Sequence, residues 1–209
     1  MMSVVSDPLD AQKGEMRRQQ VLDAAAICFR RHGFHGTSIA RICSEAGMSP
    51  GHIYHYFANK DSIVEAIARR EEHDMAQLAR EVELDPLGGS VAERLTRLVD
   101  ASLAKVLEPE HVQLRLELAA EGARNTAIHR ILAQSDAIVL KQFIDAAERC
   151  GLPPGMDRTQ LTTAMMMITA AFNGFMVRAA TGQQADRQAI AKFVKQLINA
   201  LLEPAHARP

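Results

Sequence analysis

From residue 18 to residue 202 the apolar residues recur at steps of three and four, and no stretch alternates with period two for long. Side chains at a 3.6-residue repeat share one face of a helix, so this rhythm predicts an all-α chain without strands. The last segment shows it most cleanly: Ile190, Phe193, Val194, Leu197, Ile198, Leu201 and Leu202 keep the spacing without a miss. Turn residues fall where the rhythm breaks. Gly33, Gly47, "LDPLGGS" (84–90), Pro109, Gly122, "GLPPG" (151–155) and "TGQQ" (181–184) divide the chain into about nine helices. Their expected spans are 18–32, 38–46, 50–57, 59–84, 91–107, 110–121, 125–150, 157–181 and 186–202.

Two of these helices are only about two turns long, too short to be stable unless neighbours pack them. They are joined by the tight turn "AGMS", which is the pattern of a helix-turn-helix. Thr37 is expected to cap the first of the pair, and Ser49 followed by Pro50 to open the second. In the second, Ile53 and Phe57 lie at i and i+4 and face inward with Ile39 and Ile42, onto a stripe of Val21, Leu22, Ala25, Cys28 and Phe29. Gly51, His52, His55 and Tyr56 are left to the other faces, with Tyr54 at the edge, where it either packs on the first helix or meets a ligand. The chain has only two tyrosines, Tyr54 and Tyr56, and both stand here. Exposed Tyr and His are poor core material, but they suit phosphates and the walls of a DNA groove. Lys60 sits at the start of the next helix as a point charge for a phosphate.

The stretch "TSIARICSEAGMSPGHIYHYFANKDSIVEAI", with "FRRHGFHGTS" leading into it, resembles the DNA-binding region of the TetR family of transcription regulators. The resemblance covers about residues 14–75. It implies a helix-turn-helix domain at 14–75, followed by a helical effector-binding and dimerisation domain at 76–204. It also implies a homodimer that binds a palindromic operator in double-stranded DNA, usually represses, and is released by a small molecule. Carried over residue by residue, Thr37 and Ser38 would meet phosphate, and Ser49, Pro50, Gly51 and His52 would enter the groove. Tyr54, His55, Tyr56 and Lys60 match the family's phosphate contacts. Pro50 stands where many members carry Lys, Arg or Thr. It gives no hydrogen bond to a base, so sequence reading leans on His52, His55 and DNA shape.

In the remainder, the resemblance implies that the helices at about 157–181 and 186–202 form a four-helix dimer interface, the alternative being that both are ordinary core. A largely apolar effector would lie against adaptable side chains in the run Met165, Met166 and Met167. Asn173 is a polar candidate for the pocket or for a bond across the dimer. Glu117, Glu121 and Arg124 share one face, as pocket lining or as a salt-bridge set, and Glu117 in the pocket would favour a cationic amphiphile. The apolar run 161–177 reads as a buried helix rather than a membrane span, because it contains three Thr and Asn173 and ends at Arg178.

The net charge of −1 creates no field over the whole molecule. Residues 1–60 nevertheless hold seven Lys or Arg against five Asp or Glu. Cys28, Cys43 and Cys150 lack metal or disulfide spacing and read as packed thiols. The first 20 residues are polar and charged, which points to the cytoplasm. No nucleophile–base pair or glycine-rich phosphate loop suggests an enzyme, and no cofactor is implied. The alternative is a metal sensor built from the H-x-x-H pairs His32 with His35 and His52 with His55.

Overall fold

The computed structural model describes residues 8–182 and 186–203, and among them finds nine helices and no strand. The helices are α1 (Pro8–Gly36), α2 (Ile39–Ala46), α3 (Pro50–Tyr56), α4 (Lys60–Glu83), α5 (Val91–Val106), α6 (Pro109–Gly122), α7 (Thr126–Cys150), α8 (Arg158–Ala180) and α9 (Arg187–Leu202). The all-α expectation holds, and the helix ends agree with the sequence rhythm except at α1, which begins ten residues early. The chain divides into two compact units. One runs up to Arg69 and also takes in Glu117–Leu132; the other holds Arg70–Leu116 and everything from Ala133 onward. The sequence reading had not assigned residues 117–132 to the first unit.

In the first unit Val21, Leu22, Ala25 and Phe29 of α1 are completely buried, as are Ile42, Ile53, Ile63, Val64 and Ile128. Ile39, expected to face inward, is only half-buried. Gly47 ends α2 in the left-handed conformation (φ 63°), and its N–H donates to the freed carbonyls of Cys43 and Ser44, which turns the chain toward α3. Gly33 was expected to stop the first helix. It instead kinks α1 with φ 70°, and one more turn follows. A side chain there is disfavoured by the backbone, and Glu117, whose Oε1 would lie 3.1 Å from an added Cβ, would also have to shift.

The second unit is built on an apolar cluster that includes Leu95, Val99 and Leu103 of α5, Leu161, Met165 and Ile168 of α8, and Val194, Ile198 and Leu202 of α9. Two capping boxes set where α5 and α8 begin, Ser90 with Glu93 and Asp157 with Gln160. The expectation that 161–177 is a buried helix needs correction. Only 28% of its most apolar window is buried, and Met166, Met167 and Val177 are exposed. Phe193 of α9 is 65% exposed. The sequence rhythm cannot tell a face buried in its own chain from one left for a partner. Cys28 and Cys43 are buried and all three cysteines are free; burial, then the charge of Glu45, raises the Cys28 thiol pKa and keeps it unreactive.

Candidate nucleic-acid interface and cavity

In α3 only Ile53 is buried, and the next residue to turn inward is Phe57, the C-cap. Pro50, Gly51, His52 and His55 are exposed, Tyr54 is 56% exposed and Tyr56 is half-buried. The His55 and Tyr56 rings meet edge to face with centroids 4.9 Å apart, which orients each against the other. An added Cβ at Gly51 would meet nothing within 4 Å, so the backbone there is open to a ligand. Ser49 stands at the N-cap, but its Oγ pairs with His52 Nδ1 at 3.2 Å instead of capping the helix backbone. The pair orients the His52 ring. Beneath α3, the Arg18 guanidinium lies 5.3 Å from the Phe57 ring centre, and Gln20 donates to Ala46 O at 2.8 Å.

Two residues expected at phosphates have partners within the unit. Thr37 is 1% exposed, and its hydroxyl donates to Gly33 O at 2.8 Å and Cys28 O at 3.0 Å. It holds the kinked end of α1 and cannot reach a phosphate. The cap of α2 is Ser38, whose Oγ accepts from the Arg41 N–H at 3.2 Å. Lys60, expected as a free charge, donates to Phe34 O at 2.6 Å and lies 4.2 Å from the Phe34 ring centre. An exposed cation of this region is Arg41, in the first turn of α2. The apolar spacing of α2 does not single it out; its signal in the sequence is a basic residue three places after a capping serine.

The expected pocket residues Glu117 and Glu121 also belong to the first unit. The Phe34 N–H donates to Glu117 Oε1 at 2.7 Å. Glu121 is wholly buried and accepts from Arg124 Nε and Asn125 Nδ2, each at 3.0 Å, with His35 Nε2 at 3.1 Å. Burial alone would raise its pKa. The bonds from Asn125 and Arg124 and the charge of His35 reverse that and hold it below the ordinary carboxyl range. The salt-bridge alternative is realised by Glu121 and Arg124, while Glu117 takes a backbone N–H instead. The metal-sensor alternative gains nothing: His35 is tied to Glu121 and His52 to Ser49, and no group of three metal-binding side chains converges among the described residues.

The second unit contains a cavity of about 430 Å³, within the range of small-molecule sites. Met165, Met166 and Asn173 line it, but Met167 does not. Glu117 and Glu121 are absent from its wall. Its polar residues are Glu71, Ser102, Lys105, His111, Arg115, Asp136, Thr169 and Asn173. Arg115 bonds Glu71 at 3.2 Å and Asp136 at 3.3 Å. Burial works against its charge, but the two carboxylates outweigh it and raise the guanidinium pKa. Burial, opposed by Glu71 and aided by Arg115 and Lys105, lowers the His111 pKa, so its ring is neutral near pH 7. This set is not legible in the sequence, because its charged members come from α4, α5, α6 and α7 and meet only in the folded chain.

Residues 21–67 match the pattern of bacterial regulatory proteins of the tetR family, and residues 91–203 that of the BetI-type transcriptional repressor C-terminal domain. The transcriptional repressor AcnR of Corynebacterium glutamicum is 26% identical over 174 residues, 79% of this chain and 82% of AcnR. The regulator UidR of Escherichia coli K12 is 27% identical over 153 residues, 71% of this chain and 72% of UidR. The structure of Salmonella enterica GusR aligns with a TM-score of 0.70 at 25% identity, covering 96% of this chain and 99% of GusR.

Proposed function

The chain belongs to the tetR family of bacterial regulatory proteins and is a DNA-binding transcriptional regulator, not an enzyme; we propose that it is a cytoplasmic repressor that binds a palindromic operator as a homodimer and is released by a small, largely apolar molecule. The observation that carries the DNA reading is α3, a helix with one buried residue and a run of exposed His and Tyr. Pro50, Gly51, His52 and His55 enter the major groove. Ser38, Ser49, Arg41, Tyr54 and Tyr56 hold the flanking phosphates. Lys60 acts indirectly, by fixing the end of α1.

The homodimer reading draws its support from the exposed apolar faces of α8 and α9. Thr163, Met167, Ala170, Gly174 and Val177 form a stripe at helical spacing, and Ala189, Phe193 and Ala200 form another. Packing both stripes against those of a second copy buries them and accounts for α8 without a bilayer. The dimer then sets two copies of α3 about 34–36 Å apart, or a multiple of a helical turn. Met166 and Asn173, which line the cavity, bind the effector. A ligand that favours the released state over the DNA-bound state shifts the population away from DNA, whereas equal affinity would shift nothing.

The test is selection from a random duplex library with the purified protein, followed by affinity against salt. The expected result is a palindrome with a steep salt slope. A folded, dimeric protein that enriches no sequence would overturn the proposal.

A further inference from the structure

The cavity of the second unit has one charged end and an apolar body, and the way its charges are held identifies a ligand chemistry. The body is lined by Leu95, Leu98, Phe143, Met165, Phe172 and Met176. Two cations, Arg115 and Lys105, and two carboxylates, Glu71 and Asp136, stand in its wall, so the charged lining balances. The two partners of Arg115 differ in their surroundings. The Glu71 side chain is 25% exposed and the Asp136 side chain 65%. Asp136, already largely hydrated, therefore makes the weaker bond and loses least on leaving. Lys105, by contrast, is held from outside the cavity wall, by Asp74 at 2.7 Å.

We infer that the cavity takes an amphiphile with a single carboxylate head, and that the head replaces Asp136 on Arg115 while the apolar tail fills the chamber. This rests on the reading of the chain as a ligand-released repressor and names the ligand class of that site. A monoanion keeps the charge balance that Asp136 provided, and the planar guanidinium matches a carboxylate. A cationic head would sit beside Arg115 and Lys105 with no unpaired carboxylate to receive it. An aromatic cage for a quaternary ammonium is also lacking: the chain has no Trp, both tyrosines lie in the first unit, and the cavity offers only Phe143 and Phe172. The expectation of a cationic amphiphile depended on Glu117, which faces Phe34 instead.

The experiment is titration calorimetry on the full-length protein at neutral pH, below micellar concentrations, with decanoate, decanol, decylammonium and decyl phosphate. Decanoate should bind at least about tenfold more tightly than the other three. Asp136→Asn, which removes the competitor, should tighten decanoate about threefold and leave decanol unchanged. Arg115→Gln should abolish the advantage of decanoate over decanol. The gain with Asp136→Asn cannot come from misfolding, so the inference stays testable if the Arg115 variant is unstable. Equal or tighter binding of any of the other three amphiphiles, no change in Asp136→Asn, or no binding of any probe would overturn it. A protein that binds its selected duplex but does not discriminate the four amphiphiles overturns this inference alone. One that discriminates them but binds no duplex overturns the repressor reading alone.

Discussion

Arg115 and Glu117 stand two residues apart on α6, yet they serve different units. Arg115 is held in the cavity wall by carboxylates that solvent reaches. Glu117 and its neighbour Glu121 bind the last turn of α1, and Glu121 is sealed from water. In the first unit the polar groups of the interior are each matched to a backbone or side-chain partner: Thr37 to two carbonyls, Lys60 to Phe34 O, Glu121 to three neighbours. They fix the shape that presents α3. In the second unit the ion pairs at the cavity are exchangeable, because their outer members lose little on leaving. A rigid frame suits the surface that reads DNA, and replaceable pairs suit a site that must admit a ligand.

The sharpest way to break this comparison is inside α3. Ile53→Ala removes a fully buried side chain and should lower stability by about 2–5 kcal/mol, read from urea unfolding. His52→Ala, one position away and exposed, should change stability by less than about 0.5 kcal/mol while relaxing sequence preference in the selected operator. If the two variants unfolded alike, α3 would not be a helix with one inner and one outer face.

Next in size is the sealed carboxylate. Its folded pKa is depressed, so the stability it gives is present above the unfolded value, about 4.3, and is lost as pH falls through the folded one. Glu121→Gln leaves Arg124, Asn125 and His35 short of an anion and should cost about 1–3 kcal/mol at neutral pH. The thermal midpoint of the parent should then fall more steeply than that of the variant as pH drops below about 4.5. Parallel curves would mean that the Glu121 cluster is not what ties the end of α1.

How much of this was legible before the structure depends on how far apart in sequence the partners lie. The helix-turn-helix is local: Gly47, Ser49, Pro50, Ile53 and Phe57 lie within eleven residues, and capping rules plus an i, i+4 pair define it. The cavity is not local. Glu71, Lys105, Arg115 and Asp136 come from four helices, and helical spacing says nothing about which faces of distant helices meet. Glu117 and Glu121 show the limit within one helix. Their spacing places them on one face of α6, but not whether that face closes the first unit or lines the second. Thr37 shows it at one residue: the capping preference belongs to Ser38 as well, and only the kink at Gly33 turns the Thr37 hydroxyl inward.

The smallest effects separate the framework from the contact surface. Thr37→Val keeps the shape but removes the hydroxyl, and should cost about 1 kcal/mol of stability with no change in the slope of DNA affinity against salt. Arg41→Ala should do the reverse, with stability within about 0.5 kcal/mol and a log–log salt slope smaller by about one. Tyr56→Phe should do less than either. Its ring still packs on His55, so stability stays level, and only one hydroxyl is lost to phosphate. Affinity should then fall by a similar modest factor for operator and non-operator duplexes alike, because a phosphate contact carries no base information. A loss confined to the operator would place the Tyr56 hydroxyl on a base edge and move sequence reading further along α3 than His52 and His55. No loss at any salt concentration would return Tyr56 to the framework, with Thr37 and Lys60.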